Sequence, residues 1–340
     1  MLEPALRSPM SRRERVAAAV ARAPVDRSPY AFWRRFPAVD RSPAGLAQAT
    51  LRFHDRYGPD LLIVVPPAGY AAQAWGCVEG DLPGPDGARP CARCAVQRPE
   101  DWRGIRAVDP AAAPGYTDVL EALVRIGFDR RIGDAPVLIT LPAPLTVAAR
   151  LAGGRLGLDL REWPGLVRDA LAAIAETQRR FAERCLAEGL AGVAYVLEGW
   201  PDVGETVYAE LGEPADREVL SAVGDRALRV VHVSGPLPFA RVAALAADVL
   251  GWAPGGSLPD LAGGHAALRG AVLGGLDARA LREDSPEAAR RAARAAVTLV
   301  ERGLIVAPGG PVWPETPDAT LTAVVRELGG STRPILGITR

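Results

Sequence analysis

The sequence predicts an α/β protein folded as a (β/α)8 TIM barrel. Eight short apolar runs rich in β-branched residues alternate with helical segments along most of the chain. Some of these runs pass directly into Gly/Pro sequences, most clearly Leu304 to Ala307, which continues as Pro308-Gly309-Gly310. Buried strands that end in such loops are typical of this barrel. A doubly wound open sheet is the runner-up, but no Gly-x-Gly-x-x-Gly follows the first strand.

Composition restricts the classes of function. The chain has 340 residues, 49% of them apolar, so we predict one domain spanning residues 1–340 with a large core. Its formal net charge of zero argues against nucleic acid as a partner. The sequence contains no lysine, which excludes a lysine Schiff base and a P-loop lysine.

The location of the protein follows from absent signals. We find no signal peptide and no apolar segment long enough to span a bilayer, so we expect a cytoplasmic protein with no membrane partner. Four cysteines are too few for a disulfide framework in a chain of this length. A homodimer remains open as its assembly.

The first third of the chain contains two helices and two strands. Ser11 can cap the first helix, Pro24 ends it, and apolar residues recur at helical spacing between them. The predicted elements are a helix at 11–23, a strand at 29–33, a helix at 44–57 and a strand at 60–65. Residues 68–114 then lose all periodicity, and we interpret them as an irregular lid or insertion after the second strand.

Strands and helices alternate through the rest of the chain. The clearest helix start is Ser285-Pro286-Glu287, with a capping Ser, a Pro at the first position and an acid in the first turn. We predict strands at 136–141, 192–197, 228–233, 249–252, 267–273 and 304–307. We predict helices at 116–127, 146–152, 166–189, 203–223, 239–247, 285–302 and 318–328.

Candidate site residues are those at the carboxyl ends of the strands, where a barrel places its active site. These are Arg34, Thr146, Glu198, Trp200, His232, Ser234, Asp277, Gly309 and Gly310. Arg34 and Arg35 follow the first strand, so we expect at least one of them near the barrel mouth. Arginine suits bidentate binding of a carboxylate, although a solvated surface Arg is the alternative.

His232 and Glu198 are the candidate proton carriers. His232 interrupts the run Val230 to Val233, so it needs a partner, which is substrate, metal or another core group. Glu198 is a candidate acid or base, or the partner of a nearby Arg.

Three cysteines lie in the irregular segment. Cys91-Ala92-Arg93-Cys94, with Cys77 upstream, resembles half of a zinc site, but a structural site requires four ligands. We therefore expect free thiols there, without a metal.

These segments together resemble the uroporphyrinogen decarboxylase superfamily, which includes the haem-pathway decarboxylase and methyltransferases that act on methylcorrinoids. The resemblance covers nearly the whole chain and implies a (β/α)8 barrel. It depends on the order and spacing of four stretches. They are Pro29 to Arg34, Pro142-Ala143-Pro144-Leu145-Thr146, Arg269 to Asp277, and Gly309-Gly310-Pro311 leading to Pro317.

Neither site known in that superfamily is complete in this sequence. Arg34 matches an arginine of the decarboxylase, but its aspartate, tyrosine and histidine fall at Pro66, Arg150 and Gly310. The methyltransferases bind zinc through His-x-Cys and a later Cys. Here His232-Val233-Ser234 keeps the His alone, and the later Cys is again Gly310. We therefore expect no bound metal and no cofactor.

The resemblance leads to one main functional hypothesis and two alternatives. The main hypothesis is a cofactor-independent carboxy-lyase of porphyrin biosynthesis type, acting on a carboxylated tetrapyrrole or a smaller anion. Arg34 and Arg150 would hold carboxylates, and His232 or Glu198 would move protons. The first alternative is a corrinoid-linked methyltransferase, and the second is an inactive ligand-binding barrel.

Overall fold

The structure of the chain is a computed structural model that describes residues 9–198, 203–225, 227–235, 237–253 and 258–332. Within these ranges one sheet of seven parallel strands dominates the fold. In sheet order its strands are β1 (Leu62–Val64), β4 (Val137–Pro142), β5 (Gly192–Glu198), β6 (Leu228–Ser234), β7 (Val249–Trp252), β8 (Ala271–Leu276) and β9 (Leu304–Pro308). A separate hairpin is formed by β2 (Val78–Glu79) and β3 (Cys91–Arg93).

The first predicted strand, residues 29–33, takes a different form from the others. It makes one parallel bridge, between Tyr30 and Val306 of β9. Its backbone also bonds to both sides, because Ala31 N–H donates to the Val306 carbonyl (2.9 Å) and Asp60 N–H donates to the Tyr30 carbonyl (2.9 Å). The segment thus lies between the last strand and the residues that lead into the first. This arrangement makes the curled parallel sheet consistent with a (β/α)8 barrel.

Helices connect the strands on the outside of the sheet. They are α1 (Arg12–Val20), α2 (Pro43–Tyr57), α3 (Tyr70–Gln73), α4 (Tyr116–Gly127), α5 (Pro144–Ala152), α6 (Leu156–Glu162), α7 (Pro164–Ala187), α8 (Glu205–Val207), α9 (Glu213–Ser221), α10 (Phe239–Ala243), α11 (Leu261–Ala267), α12 (Ala278–Glu283), α13 (Pro286–Leu299) and α14 (Asp318–Glu327). A π-helical turn, Tyr208–Gly212, joins α8 to α9.

Apolar side chains form two cores. The larger lies between the sheet and the helices and includes Phe181 and Val324. The smaller fills the inside of the curled sheet and includes Ala31, Trp33 and Val230. Because successive side chains of a strand point to opposite faces, alternate residues of each strand belong to different cores.

The structure corrects several predicted boundaries. The predicted strand 267–273 begins later, at Ala271, because the residues before it form α11 and a turn. Helices α6, α11 and α12 are short and were not predicted, since stretches of six or seven residues show too little periodicity. The predicted helix 203–223 is divided by the π-helical turn.

Residues 68–114 are more structured than the lost periodicity indicates. They contain α3, the β2–β3 hairpin and a 3₁₀ helix, Pro99–Gly104. The two hairpin strands are joined by 11 residues, Gly80 to Pro90, which have no regular structure. The interpretation of this segment as a lid within one domain stays a prediction. In the described part of the chain, no helix has the length and apolar character needed to cross a membrane.

Candidate active site

A cavity of about 220 Å³ lies at the carboxyl ends of the strands. Seven of the candidate residues line it, and they are Thr146, Arg150, Glu198, His232, Ser234, Gly309 and Gly310. A larger cavity of about 440 Å³ lies beside it, between α2 and α4, but none of these seven residues lines it. The structure therefore brings most of the sequence-based candidates together in one place.

Strand register explains how β5 and β6 contribute to the cavity. Ala194, Val196 and Glu198 of β5 line it, as do Val230, His232 and Ser234 of β6. In each strand these are alternate residues, which point to the same face. The two strands pair Val196 with His232 and Glu198 with Ser234, so the polar side chains of both strands lie side by side at the rim.

Two further candidates within the described residues, Asp277 and Arg34, do not line the cavity. Asp277 is exposed and caps α12 by accepting a hydrogen bond from Ala280 N–H at 2.8 Å. Arg34 donates from Nη2 to the Pro314 carbonyl (2.7 Å), and its guanidinium lies over the rings of Phe36 and Phe53. Trp200 falls outside the described residues.

Arg35 lines the cavity, although the sequence directed attention to Arg34. Side chains point alternately to the two faces along residues 30–35, which accounts for this. Ala31 and Trp33 belong to the smaller core inside the curled sheet, while Tyr30 and Phe32 belong to the larger one outside it. Arg35 therefore shares the inner face with Trp33. This parity was present in the sequence and could have identified Arg35.

Asp86 is a second cavity residue that the sequence analysis missed. It lies in the connection between β2 and β3 and forms a salt bridge with Arg35, Nη1 to Oδ2, at 2.8 Å. Its segment has no periodicity that could have indicated its position. Its side chain is 40% exposed, so this carboxylate stands at the mouth of the cavity.

The charges around the cavity interact with one another. Burial lowers the pKa of the Arg35 guanidinium. Asp86 and Glu198 oppose that shift by their negative charge, whereas Arg150 adds to it by repulsion. Arg150 itself donates from Nη1 to the Arg89 carbonyl at 3.2 Å, and within the described residues it forms no salt bridge. Two guanidinium groups thus act on one small volume.

His232 is held as a neutral ring. Burial lowers the pKa of its imidazole to about 4, and a hydrogen bond to the Gly309 backbone acts in the opposite direction. That bond favours the protonated ring, so the backbone group is an acceptor and the ring nitrogen is a donor. Nε2 is buried and has no partner among the described residues. We therefore assign the proton of the neutral ring to Nδ1, which leaves Nε2 as an acceptor.

Packing fixes the ring of His232 and the end of β5. The His232 ring meets Trp33 edge to face, with centroids 5.8 Å apart. Thr146 Oγ1 accepts a hydrogen bond from Glu198 N–H at 3.2 Å. Thr146 thus ties the start of α5 to the strand end that carries Glu198. The His232 ring is therefore fixed by packing, and the backbone that carries Glu198 is fixed by a hydrogen bond.

The positions of the superfamily's zinc ligands do not fit zinc in this chain. His232, Ser234 and Gly310 all line the cavity, but they supply one strong ligand, whereas a catalytic zinc site has three from the protein. Among the described residues, no group of three His, Cys, Asp or Glu side chains could hold a metal ion.

The fold and this cavity define an α/β protein of the TIM-barrel class with a site at the strand ends. Residues 11–329 match the model of the family described as uroporphyrinogen decarboxylase (URO-D). The chain therefore belongs to the uroporphyrinogen decarboxylase family, as its motifs predicted. Enzymes of this superfamily are decarboxylases or methyltransferases.

Two solved structures show how widely the fold is shared. A methyltransferase from Methanosarcina mazei superposes with a TM-score of 0.80 at 18% identity, covering 94% of this chain and 98% of that one. A B12-independent methionine synthase from Shewanella sp., in complex with selenomethionine, gives a TM-score of 0.55 at 12% identity, covering 88% and 92%. No curated protein sequence matches the chain. At these identities the likeness establishes the fold alone.

Proposed function

We propose that the chain is an enzyme that binds a small anionic substrate in the strand-end cavity. The observation that carries this proposal is the presence of Arg35 and Arg150 together in the cavity lining. Arg35 has one carboxylate partner, Asp86, and its buried Nε has none among the described residues. Two neighbouring guanidinium groups repel each other, and Asp86 forms a salt bridge with Arg35 alone. Arg150 has no salt bridge among the described residues, so an anionic substrate would supply its partner.

The size of the cavity indicates the size of the substrate. Its volume of about 220 Å³ is below the ~300–1,000 Å³ typical of pockets for drug-sized ligands. A tetrapyrrole is larger than such ligands. The cavity therefore favours a small carboxylate or sulfonate over the carboxylated tetrapyrrole of our sequence-based hypothesis.

His232 would act on a protonated group of this substrate. Its Nε2 is an acceptor without a partner among the described residues, and buried polar atoms normally have one. A thiol, hydroxyl or ammonium group of the substrate could donate to it. With its pKa lowered to about 4, the imidazole stays neutral at neutral pH, so Nε2 is available to accept a hydrogen bond from the substrate. As a base it is weaker than an ordinary histidine, and a substrate anion or developing charge nearby would have to raise its pKa for it to take the proton.

Methyl transfer to such a small anion is the reaction we place first. The acceptor atom would displace the methyl group from a methyl donor, which would leave with the electrons of the broken bond, and the acceptor's proton would pass to His232. Two features support this choice over decarboxylation. The chain keeps the His of the methyltransferase pattern but none of the decarboxylase's Asp, Tyr and His, and Pro66, which stands in place of that Asp, lines the cavity. The solved structures described above are also named as methyltransferase and methionine synthase.

Decarboxylation of a small carboxylate is the second candidate. The composition of the cavity lining favours it. Among the described residues, the lining contains no Cys thiolate that could help to activate a methyl acceptor. It does contain two Arg, two acids and a His. Asp86, which belongs to the 68–114 segment, also places a carboxylate in the cavity lining. That carboxylate could take the part that the missing aspartate plays in the family's decarboxylases.

Product analysis distinguishes the two reactions. We would incubate the protein with methylcobalamin and 3-mercaptopropionate and follow the S-methyl product by NMR, and in parallel follow CO₂ release from small di- and tricarboxylates. Methyl transfer predicts the first product, abolished in His232→Gln. Release of CO₂ without methylated product would establish the second candidate. Binding of no small anion at all would contradict both.

A further inference from the structure

Three of the four cysteines meet where the β2–β3 hairpin rests on α5. Cys91 Sγ and Cys94 Sγ are 3.0 Å apart. Cys77, which immediately precedes β2, interacts with Cys91 of β3. All are free thiols, and Cys91 and Cys94 are partly exposed, whereas Cys77 is buried. A small reagent can therefore reach the Cys91–Cys94 pair from solvent.

The cluster is joined to Arg150 through backbone groups. The Cys77 thiol donates to the Arg150 carbonyl (3.5 Å), and Arg150 Nη1 donates to the carbonyl of Arg89, two residues before Cys91. Val96 N–H, two residues after Cys94, donates to the Leu151 carbonyl at 2.9 Å. The segment from Arg89 to Val96, which contains Cys91 and Cys94, thus contacts the last turn of α5. That turn carries Arg150, one of the two proposed anion-binding arginines.

Cys94 lies beside Gly153, the residue that follows α5. A Cβ added at Gly153, just after α5, would come within 3.2 Å of Cys94 Sγ. A disulfide needs its sulfurs ~2.05 Å apart. Closing the bond from 3.0 Å therefore requires the sulfurs of Cys91 and Cys94 to move closer together, next to the end of α5.

We propose that Cys91 and Cys94 form an oxidative modification site, which closes to an intrachain disulfide and thereby weakens anion binding at Arg150. The oxidant is a low-molecular-weight disulfide, X–S–S–X. One Cys thiolate attacks it and releases X–SH, and the second Cys thiolate attacks the mixed disulfide and releases another X–SH. The protein loses two electrons and two protons, and the reagent gains them. The effect on anion binding rests on the function proposed above.

The other two cysteines are not expected to react. Cys77 is 7% exposed, and its sulfur also accepts a hydrogen bond from Ala95 N–H. Cys185 is fully buried on α7.

The reaction of the Cys91–Cys94 pair should depend on pH. Burial raises the pKa of the Cys94 thiol, to about 11. Because the thiolate is the attacking form, disulfide formation should accelerate as the pH rises.

The test is oxidation of the purified full-length protein with glutathione disulfide at pH 8. We expect titratable thiols in denaturant to fall from four to two, and peptide mapping to find Cys91 linked to Cys94. Affinity for succinate, measured by calorimetry after the reagent is removed, should fall about fivefold or more, which is the lower end of typical coupling between sites. The Cys91→Ser/Cys94→Ser double variant can form neither the disulfide nor a mixed disulfide at this site, so it should keep its affinity after the same treatment.

Three results would overturn the proposal. Four thiols that persist, or a link through Cys77 or Cys185, would show that the pair is not the site. Stoichiometric zinc that protects the thiols and is lost in Cys91→Ser would replace the dithiol with a metal site. A Cys91–Cys94 disulfide that leaves anion affinity unchanged would remove the coupling to Arg150. If reduced protein binds no anion, the proposed function fails, and the mapping result still decides whether the disulfide forms.

Discussion

Asp60 at the amino ends of the strands and the cavity groups at the carboxyl ends differ in how completely they are hydrogen-bonded. At the amino ends of the strands, Asp60 is fully buried and accepts hydrogen bonds from Arg15 Nη1 (2.6 Å), Arg27 Nη1 (2.7 Å) and Tyr30 N–H (3.0 Å). At the carboxyl ends, His232 Nε2 and Arg35 Nε are buried without partners among the described residues. Satisfied networks stabilise a fold, whereas unsatisfied polar groups are costly unless a ligand completes them.

This difference assigns a separate task to each end. Arg15 binds Asp26 as well as Asp60, and Arg27 binds Asp60 with both terminal nitrogens. We call this group of four side chains at the amino ends the lower network. It leaves little hydrogen-bonding capacity for a ligand. In the strand-end cavity, His232 Nε2 and Arg35 Nε remain available to bind a ligand. Division of stability and function between the two faces is characteristic of TIM barrels.

The largest expected effect is on stability, from removal of the central acid of the lower network. Asp60→Ala leaves Arg15 and Arg27 as buried or half-buried cations without their shared carboxylate. We expect the free energy of unfolding to fall by about 3–5 kcal/mol, measured by urea denaturation.

The matched control is Asp81→Ala, which breaks an exposed pair with Arg41. Exposed pairs contribute little, so this variant should unfold like the wild type. Equal stability of the two variants would show that the lower network is not what holds the barrel at that end.

The next effect is the pH dependence of stability due to His232. Its folded-state pKa of about 4 lies below the ordinary histidine pKa of 6.5, so between these values the unfolded chain binds a proton that the folded one lacks. Stability from this group is therefore complete above pH 6.5 and is lost as the pH falls towards 4, by about 3 kcal/mol at most.

His232→Gln should remove this dependence. The comparison requires the difference between variant and wild type, because burial raises the pKa of Asp216 to about 7 and that group titrates in the opposite sense. Urea denaturation at pH 7.5 and pH 4.5 measures the difference. Parallel losses of stability in the two proteins would mean that His232 is protonated in the folded state.

A smaller effect separates two adjacent arginines. Arg35→Gln should weaken binding of a small anion by about 1.5–3 kcal/mol, the contribution of a charge-assisted hydrogen bond. Arg34→Gln is the matched control, since Arg34 lies on the other face of the segment. Calorimetric titration of both variants measures the affinities. A greater loss in Arg34→Gln would restore the sequence-based assignment of the carboxylate to Arg34.

The sequence predicted the strands well because β-branched apolar runs report burial directly, as in β6 and β9. It placed His232, Glu198 and Arg150 near one another because parallel strands end at one edge. It selected Arg34 over Arg35 because a motif match was preferred to the inside–outside alternation set by Trp33. Asp86 could not be predicted, since an aperiodic loop of the lid segment carries it to the cavity.

The most direct test of the contrast between the two ends is an NMR titration of the arginine Nε–Hε groups with 3-mercaptopropionate. Signals of individual arginines can be assigned by Arg→Gln substitution. We predict saturable shifts for Arg35 and Arg150, with Arg15 and Arg27 unchanged, because the first pair lines the cavity and the second pair is already bound to carboxylates. Shifts at Arg15 and Arg27 equal to those at Arg35, or a silent Arg35, would contradict the account.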